Sequence, residues 1–353
     1  MSTPDEETTG PATAIEADPV LQEVALGTQW PTIDPFLFCA HHLDHYPEGD
    51  GDLGPAATFE GREIGQDFAG KDGWNMYHGD HVPGFPQHPH RGFETVTVVR
   101  QGLIDHSDSL GATARFGRGD AQWLTAGAGV VHSEMFPLVD AEGPNPLHLF
   151  QIWLNLPAAD KLVDPYFTML WSEDIPKVVR TDDRGRTTTV TVYAGALEGA
   201  APLAPPPNSW AARPESDLAI WHLEIEPGAT STLPAAAGAD TVRVLYVFDG
   251  DGITVGDHPV GNGTGAVVRC DAPVTITGGG QTAEVLVLQG RPIGEPVARY
   301  GPFVMNTEQE IRQAFDDYQR TQFGGWPWDD DAPHHGPDKG RFAKHADGRI
   351  EER

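Results

Sequence analysis

At 353 residues with 39% hydrophobic content, 41 Gly and 31 Pro, the chain is long enough for two domains and suits many short strands joined by turns better than a helical protein. Its 52 acidic against 23 basic residues give a formal net charge of −29, a field that repels phosphate backbones and argues against direct nucleic-acid binding. The acidic, polar start of the chain, the lack of any apolar run near the roughly 18 residues a membrane span needs, and two distant cysteines, Cys39 and Cys270, point to a cytoplasmic protein with neither membrane span nor disulfide framework.

Residues 1–22 carry no apolar period and are expected to be disordered. An apolar run at Phe36 to Cys39 opens the folded part, followed by His41, His42 and His45 beside an acidic, Gly-rich loop, where no metal site is expected. The W-N-M-Y cluster (Trp74 to Tyr77) is expected to pack aromatics near the central stretch. Val96, Val98, Leu103 and Ile104 read as strands with a hairpin turn at Gln101-Gly102, and Asp105 to Gly111 reads as a second turn. Leu147 to Leu156 alternates as a strand, with Leu149, Gln151 and Trp153 on one face and Phe150, Ile152 and Leu154 on the other.

After a Pro-rich segment the pattern begins again. Strand-like runs at Thr187 to Tyr193, Leu218 to Ile225, Val242 to Phe248, Val267 to Cys270, Val274 to Thr277 and Val285 to Leu288 are separated by turn signals such as D-G-D-G (Asp249 to Gly252). No H-x-H occurs there, and His222 and His258 stand alone. One amphipathic helix is expected over Asn306 to Gln319, with Thr307 and Glu310 forming a capping box and Ile311, Ala314, Phe315 and Tyr318 on its apolar face. Beyond Gly325 a polar, mobile tail is expected.

The chemistry concentrates between Gly84 and Glu134. His88 with His90, and His132 with Glu134, are each spaced two apart, so a strand can aim both members of a pair at one point. Three imidazoles and a carboxylate suit iron, manganese, nickel, copper or zinc, and the lack of thiolates argues against a closed structural zinc site. Two carboxylates compete for the fourth place: Glu94 follows His90 by four and Glu134 follows His132 by two, and parity alone admits either. Burying such a set without an ion would be costly.

The segments F-P-Q-H-P-H-R-G-F-E-T-V, G-D-A-Q-W-L-T-A-G-A-G-V-V-H-S-E, F-Q-I-W-L-N-L-P and E-P-V-A-R-Y-G-P-F-V-M-N-T resemble the pirins, members of the cupin superfamily, from about Asp34 to Gly325. That resemblance implies an all-β bicupin: two stacked antiparallel jelly-roll β-barrels and a short C-terminal helix. It implies a metal-binding N-terminal domain, here expected over residues 23–175, and a metal-free C-terminal domain over 176–305; a helix is expected over 306–325, and the charged tail over 326–353 lies outside the shared pattern. It also tips the ligand choice to His88, His90, His132 and Glu134, with Fe(II) as the ion. Two functions follow from the likeness. One is a quercetin 2,3-dioxygenase-like oxygenase, taking a small aromatic substrate and dioxygen with Glu134 as the catalytic proton acceptor. The other is a non-enzymatic, metal- or redox-dependent regulator that binds a transcription factor or metabolic enzyme.

Overall fold

The computed structural model describes residues 18–353, so the segment expected to be disordered lies outside the described residues as far as residue 17. Eight strands build a first unit: β1 (Phe36–Tyr46), β2 (Gly84–His90), β3 (Phe93–Gln101), β4 (Leu103–Asp108), β5 (Thr113–Gly117), β6 (Ala121–Thr125), β7 (Val130–Met135) and β8 (Asn145–Asn155). Eight more build a second: β9 (Ala219–Ile225), β10 (Thr230–Leu233), β11 (Val242–Asp249), β12 (Ile253–Val255), β13 (His258–Val260), β14 (Thr264–Val268), β15 (Val274–Gly278) and β16 (Ala283–Gly290).

Each unit is a pair of facing antiparallel sheets. In the first the orders are β6–β3–β8–β1 and β5–β4–β7–β2; in the second they are β14–β11–β16–β9 and β13–β12–β15–β10. Each of these eight strands of the first unit thus has its counterpart eight positions later, the jelly-roll duplication of a bicupin, and further strands such as Tyr166–Leu170 and Thr187–Ala194 extend the sheets. The β6–β3–β8–β1 and β14–β11–β16–β9 sheets pack back to back through Val96, Val98, Phe150, Ile152 and Leu154 on one side and Ile220, Val244, Tyr246, Leu286 and Leu288 on the other. Each such side chain, fully buried, contributes roughly 1.5–3 kcal/mol. Period-two alternation in β8 produces this layering: Phe150, Ile152 and Leu154 enter the layer between the units, while Leu149, Gln151 and Trp153 turn into the first unit.

Helix α1 (Glu308–Thr321) starts at a complete capping box, in which Thr307 Oγ1 accepts from Glu310 N at 3.2 Å and Glu310 accepts from Thr307 N at 2.8 Å. Its buried face, Ile311 and Ala314, packs with Phe303, Met305 and Phe323 onto Val131 of β7. No helix among the described residues is long and apolar enough to cross a membrane.

Several local expectations are corrected. Val20–Ala25 is a strand, so residues 20–22 are not a disordered stretch: it pairs antiparallel along β14 and completes that edge of the second unit's sheet. Gln101-Gly102 is no hairpin: β3 and β4 lie in different sheets, and Gly102, at φ 82°, turns the corner where a Cβ would meet the Pro146 carbonyl. Asp105 to Asp108 belongs to β4, so the turn is confined to Ser109 to Gly111. His41 to His45 are part of β1, which runs on to Tyr46 before the acidic loop begins.

The polar tail is also ordered. Phe342–Lys344 pairs with β5, and Ile350–Glu352 pairs with Phe342–Lys344. Arg115, fully buried, forks onto Asp105 at 2.6 and 2.7 Å and donates its remaining N–H groups to the carbonyls of His335, Gly336 and Lys339. A buried guanidinium has five donors to satisfy, and the tail carbonyls complete the set.

Candidate metal centre

β2 is the outer strand of its sheet, with no further strand beside it, which is why it tolerates Pro86 and Pro89; Gln87 between them donates its N–H to the Asp331 carbonyl of the tail at 2.7 Å. A register shift between Phe85 and His88 then sets His88 opposite His132 of β7. The ligating atoms of His88, His90 and His132 all lie within 4.8 Å of one another, and the ring centroids are separated by 4.4 to 4.9 Å.

The hydrogen bonds leave acceptor nitrogens pointing inward. His88 Nδ1 donates to the Pro86 carbonyl at 2.9 Å and His90 Nδ1 approaches the Pro302 carbonyl at 3.4 Å, so both Nε2 lone pairs are uncommitted. His132 is fully buried with neither ring nitrogen hydrogen-bonded. Loss of water lowers all three, His88 to about 4 and His90 and His132 well below their ordinary 6.5, so these imidazoles are neutral at pH 7. Three neutral, converging imidazoles with one orphaned member fit a transition-metal ion; a closed hydrogen-bonded core would have partnered His132.

Glu134 stands beside them, its Oε2 4.0 Å from His132 Nε2. Burial raises its carboxyl, partly offset by His106 and by the Thr97 hydroxyl. Thr97 Oγ1 lies 3.2 Å from Glu134 Oε1 and 2.7 Å from Gln151 Oε1, and Gln151 Nε2 approaches Glu134 Oε2 at 3.4 Å.

Glu94 lies on the other side of its sheet. Its carboxylate accepts from Thr125 Oγ1 (2.7 Å), Trp123 Nε1 (3.2 Å), Ser209 Oγ (2.8 Å) and the Trp210 backbone (3.3 Å), in the layer between the units. Parity counted from His90 fails because Gly92, at φ 84°, breaks the strand, and β2 and β3 belong to different sheets. Arg91 is likewise outside the centre: it pairs with Asp317 at 2.9 Å and lies over Phe323, holding α1 in place.

The centre opens onto a cavity of about 630 Å³ with an aromatic wall of Phe38, Phe68, Tyr77, Phe85, Phe136 and Trp153. His42 also lines it, which sequence reading missed. The signal was available: in His42, Asp44 and Tyr46 the strand alternates inward-facing residues with the exposed Leu43 and His45. His41, at the far end of the same cavity, meets His148, the two Nε2 atoms 2.7 Å apart, and stacks on Phe150.

Residues 21–154 match the family model for pirin and residues 220–324 that for the pirin C-terminal cupin domain. A pirin-like protein of Caulobacter vibrioides is 38% identical over 251 residues, 69% of this chain and 82% of that protein. Human pirin is 32% identical over 264 residues, 71% and 81% of the two chains. The crystal structure of a quercetin 2,3-dioxygenase from Acinetobacter baumannii superposes with a TM-score of 0.67 at 26% identity, covering 87% of this chain and 98% of that one.

Proposed function

The chain belongs to the pirin family, and from that premise we propose that His88, His90, His132 and Glu134 hold a single transition-metal ion, iron(II) before manganese, nickel, copper or zinc, in a quercetin 2,3-dioxygenase-like oxygenase. The supporting observation is the meeting of three neutral imidazoles, one with no hydrogen-bond partner, at the wall of a roomy aromatic cavity. A bound ion there supplies a Lewis acid and one-electron chemistry for a chelating hydroxyl and dioxygen.

The chain's own residues do the rest. Phe38, Phe85 and Trp153 accept a flat ring system and keep water from it. Glu134, at the cavity wall beside the imidazoles, takes the proton of the substrate hydroxyl. Gln151, donating to Glu134, and Thr97 fix the carboxylate's orientation while that proton moves.

The test is to load the chain with Fe(II) and follow quercetin absorbance under air. Turnover above the metal-free chain, abolished by Glu134→Gln with metal still bound, is the expected result. No turnover with iron confirmed in place would leave the regulator that binds a protein partner as the better reading.

A further inference from the structure

Across the cavity from the three imidazoles stands a second polar group with an ordered proton relay behind it. Asp44, buried on β1, accepts three hydrogen bonds: Oδ1 from the backbone N–H and side-chain amide of Asn75, both at 2.9 Å, and Oδ2 from the Tyr77 hydroxyl at 2.7 Å. Asn75 cannot be turned the other way round, because its Oδ1 accepts from Gly70 N at 2.6 Å. Burial raises the Asp44 carboxyl and the bonds from Tyr77 and Asn75 oppose that rise; with both of its oxygens already accepting donated hydrogen bonds, the single Tyr77 proton is spent on Asp44. His42 Nδ1 lies 2.8 Å from the Tyr77 oxygen and must therefore be the donor in that contact. The proton sits on Nδ1, and Nε2 carries a lone pair with no partner, on a residue that lines the cavity. Burial, with a smaller contribution from His41, brings His42 down to about 4, which keeps it neutral.

The path between the two poles is aromatic. Phe85 has its ring centroid 6.1 Å from His42 and 6.3 Å from His88, and it stacks on Tyr77 at 5.1 Å. A flat ligand lying along Phe85 has a hydrogen-bond acceptor at one end and the imidazole cluster with Glu134 at the other.

We propose that His42 Nε2 is a substrate-recognition group that accepts a hydrogen bond from a phenolic hydroxyl, selecting polyhydroxylated aromatics over unhydroxylated or methylated ones, and that Asp44 and Tyr77 are positioning residues that fix its tautomer. The inference deepens the proposed function and rests on its reading of the cavity as an aromatic binding site.

The experiment compares binding of 2-naphthol with that of its methyl ether, 2-methoxynaphthalene, to metal-loaded protein by fluorescence titration. The ether keeps the ring system and removes the donor. The wild-type preference for 2-naphthol should fall by about tenfold in His42→Phe, the size of one neutral hydrogen bond, while the ether binds both proteins alike. Tyr77→Phe deletes one hydroxyl, frees the His42 tautomer and should lower the same preference. A Tyr77 role confined to packing would lower the melting temperature and leave the ratio of the two dissociation constants unmoved. Retention of the full preference in either variant overturns the inference, as does a wild-type protein that binds both probes equally. Because no turnover is read, a chain that selects 2-naphthol through His42 yet leaves quercetin intact refutes the oxygenase and keeps the recognition group; the opposite pair of results does the reverse.

Discussion

The two jelly-roll units share one strand order displaced by eight and differ in what fills them. In the first, β2 and β7 bring His88 opposite His132. In the second, the equivalent strands β10 and β15 bring Leu233 opposite Val274 and Ser231 opposite Ile276. The interior there is closed by Val190, Val192, Leu223, Val247, Val255, Val285 and Val287. The same scaffold is filled in one copy by apolar side chains and a buried Arg243–Gln289 hydrogen-bonded pair, while in the other it holds desolvated imidazoles around an open cavity. The second unit folds without a converging imidazole cluster, so the cluster in the first calls for a ligand.

The comparison can be broken most severely at the imidazoles. Replacing His132 by Ala should remove bound metal, and with it any metal-dependent turnover, while the far-ultraviolet circular dichroism stays that of a β protein; metal content near the wild-type level would leave the first unit no more specialised than the second.

Next in size is the anchor of the C-terminal tail, which only the first unit has. Arg115→Ala leaves Asp105 and three tail carbonyls without their buried donor, and a loss of about 3–5 kcal/mol is expected in chemical denaturation. Early proteolysis after Gly325 should accompany it. An unchanged midpoint would mean that the tail rests on the barrel without supporting it.

The layer between the units adds a pH dependence. Burial raises Glu94 from its ordinary 4.5 to about 7, against the opposing pull of Thr125, Ser209, Trp123 and Trp210. Below about pH 4.5 both folded and unfolded chains carry the proton and nothing is lost. As pH rises toward 7 only the unfolded chain releases it, so stability falls across that window by on the order of 3 kcal/mol and levels off above it. Glu94→Gln should flatten this slope relative to wild type in urea titrations between pH 4.5 and 7; parallel curves would contradict the buried, protonatable carboxyl.

The smallest effect sharpens the contrast from the other side. Ile276→Val, at the position facing Ser231 in the second unit, should cost about 0.5–1.5 kcal/mol and leave metal content untouched. Any change in bound metal would mean that the two interiors communicate.

What the sequence made legible follows from range. Alternation in β8 assigned Leu149, Gln151 and Trp153 to one face and Phe150, Ile152 and Leu154 to the other, because a period of two is local. The capping box of α1 was readable for the same reason. Glu94 was misplaced because its parity had to be carried across Gly92, where the chain leaves one sheet for the other. The tail misled by composition: its order comes from Arg115, more than 200 positions earlier, and no window of neighbours contains that partner. His42 was passed over for a mixed cause, since its strand was readable but its relay through Tyr77 and Asp44 depends on a loop that folds back over the cavity.

The most direct measurement is elemental analysis of the chain purified without added metal, repeated on the His88→Ala, His90→Ala and His132→Ala variants. One transition-metal ion per wild-type chain, and little or none in each variant, is the expected outcome. A wild-type chain that stays empty even after exposure to Fe(II), or variants that keep a full equivalent, would contradict the metal centre outright.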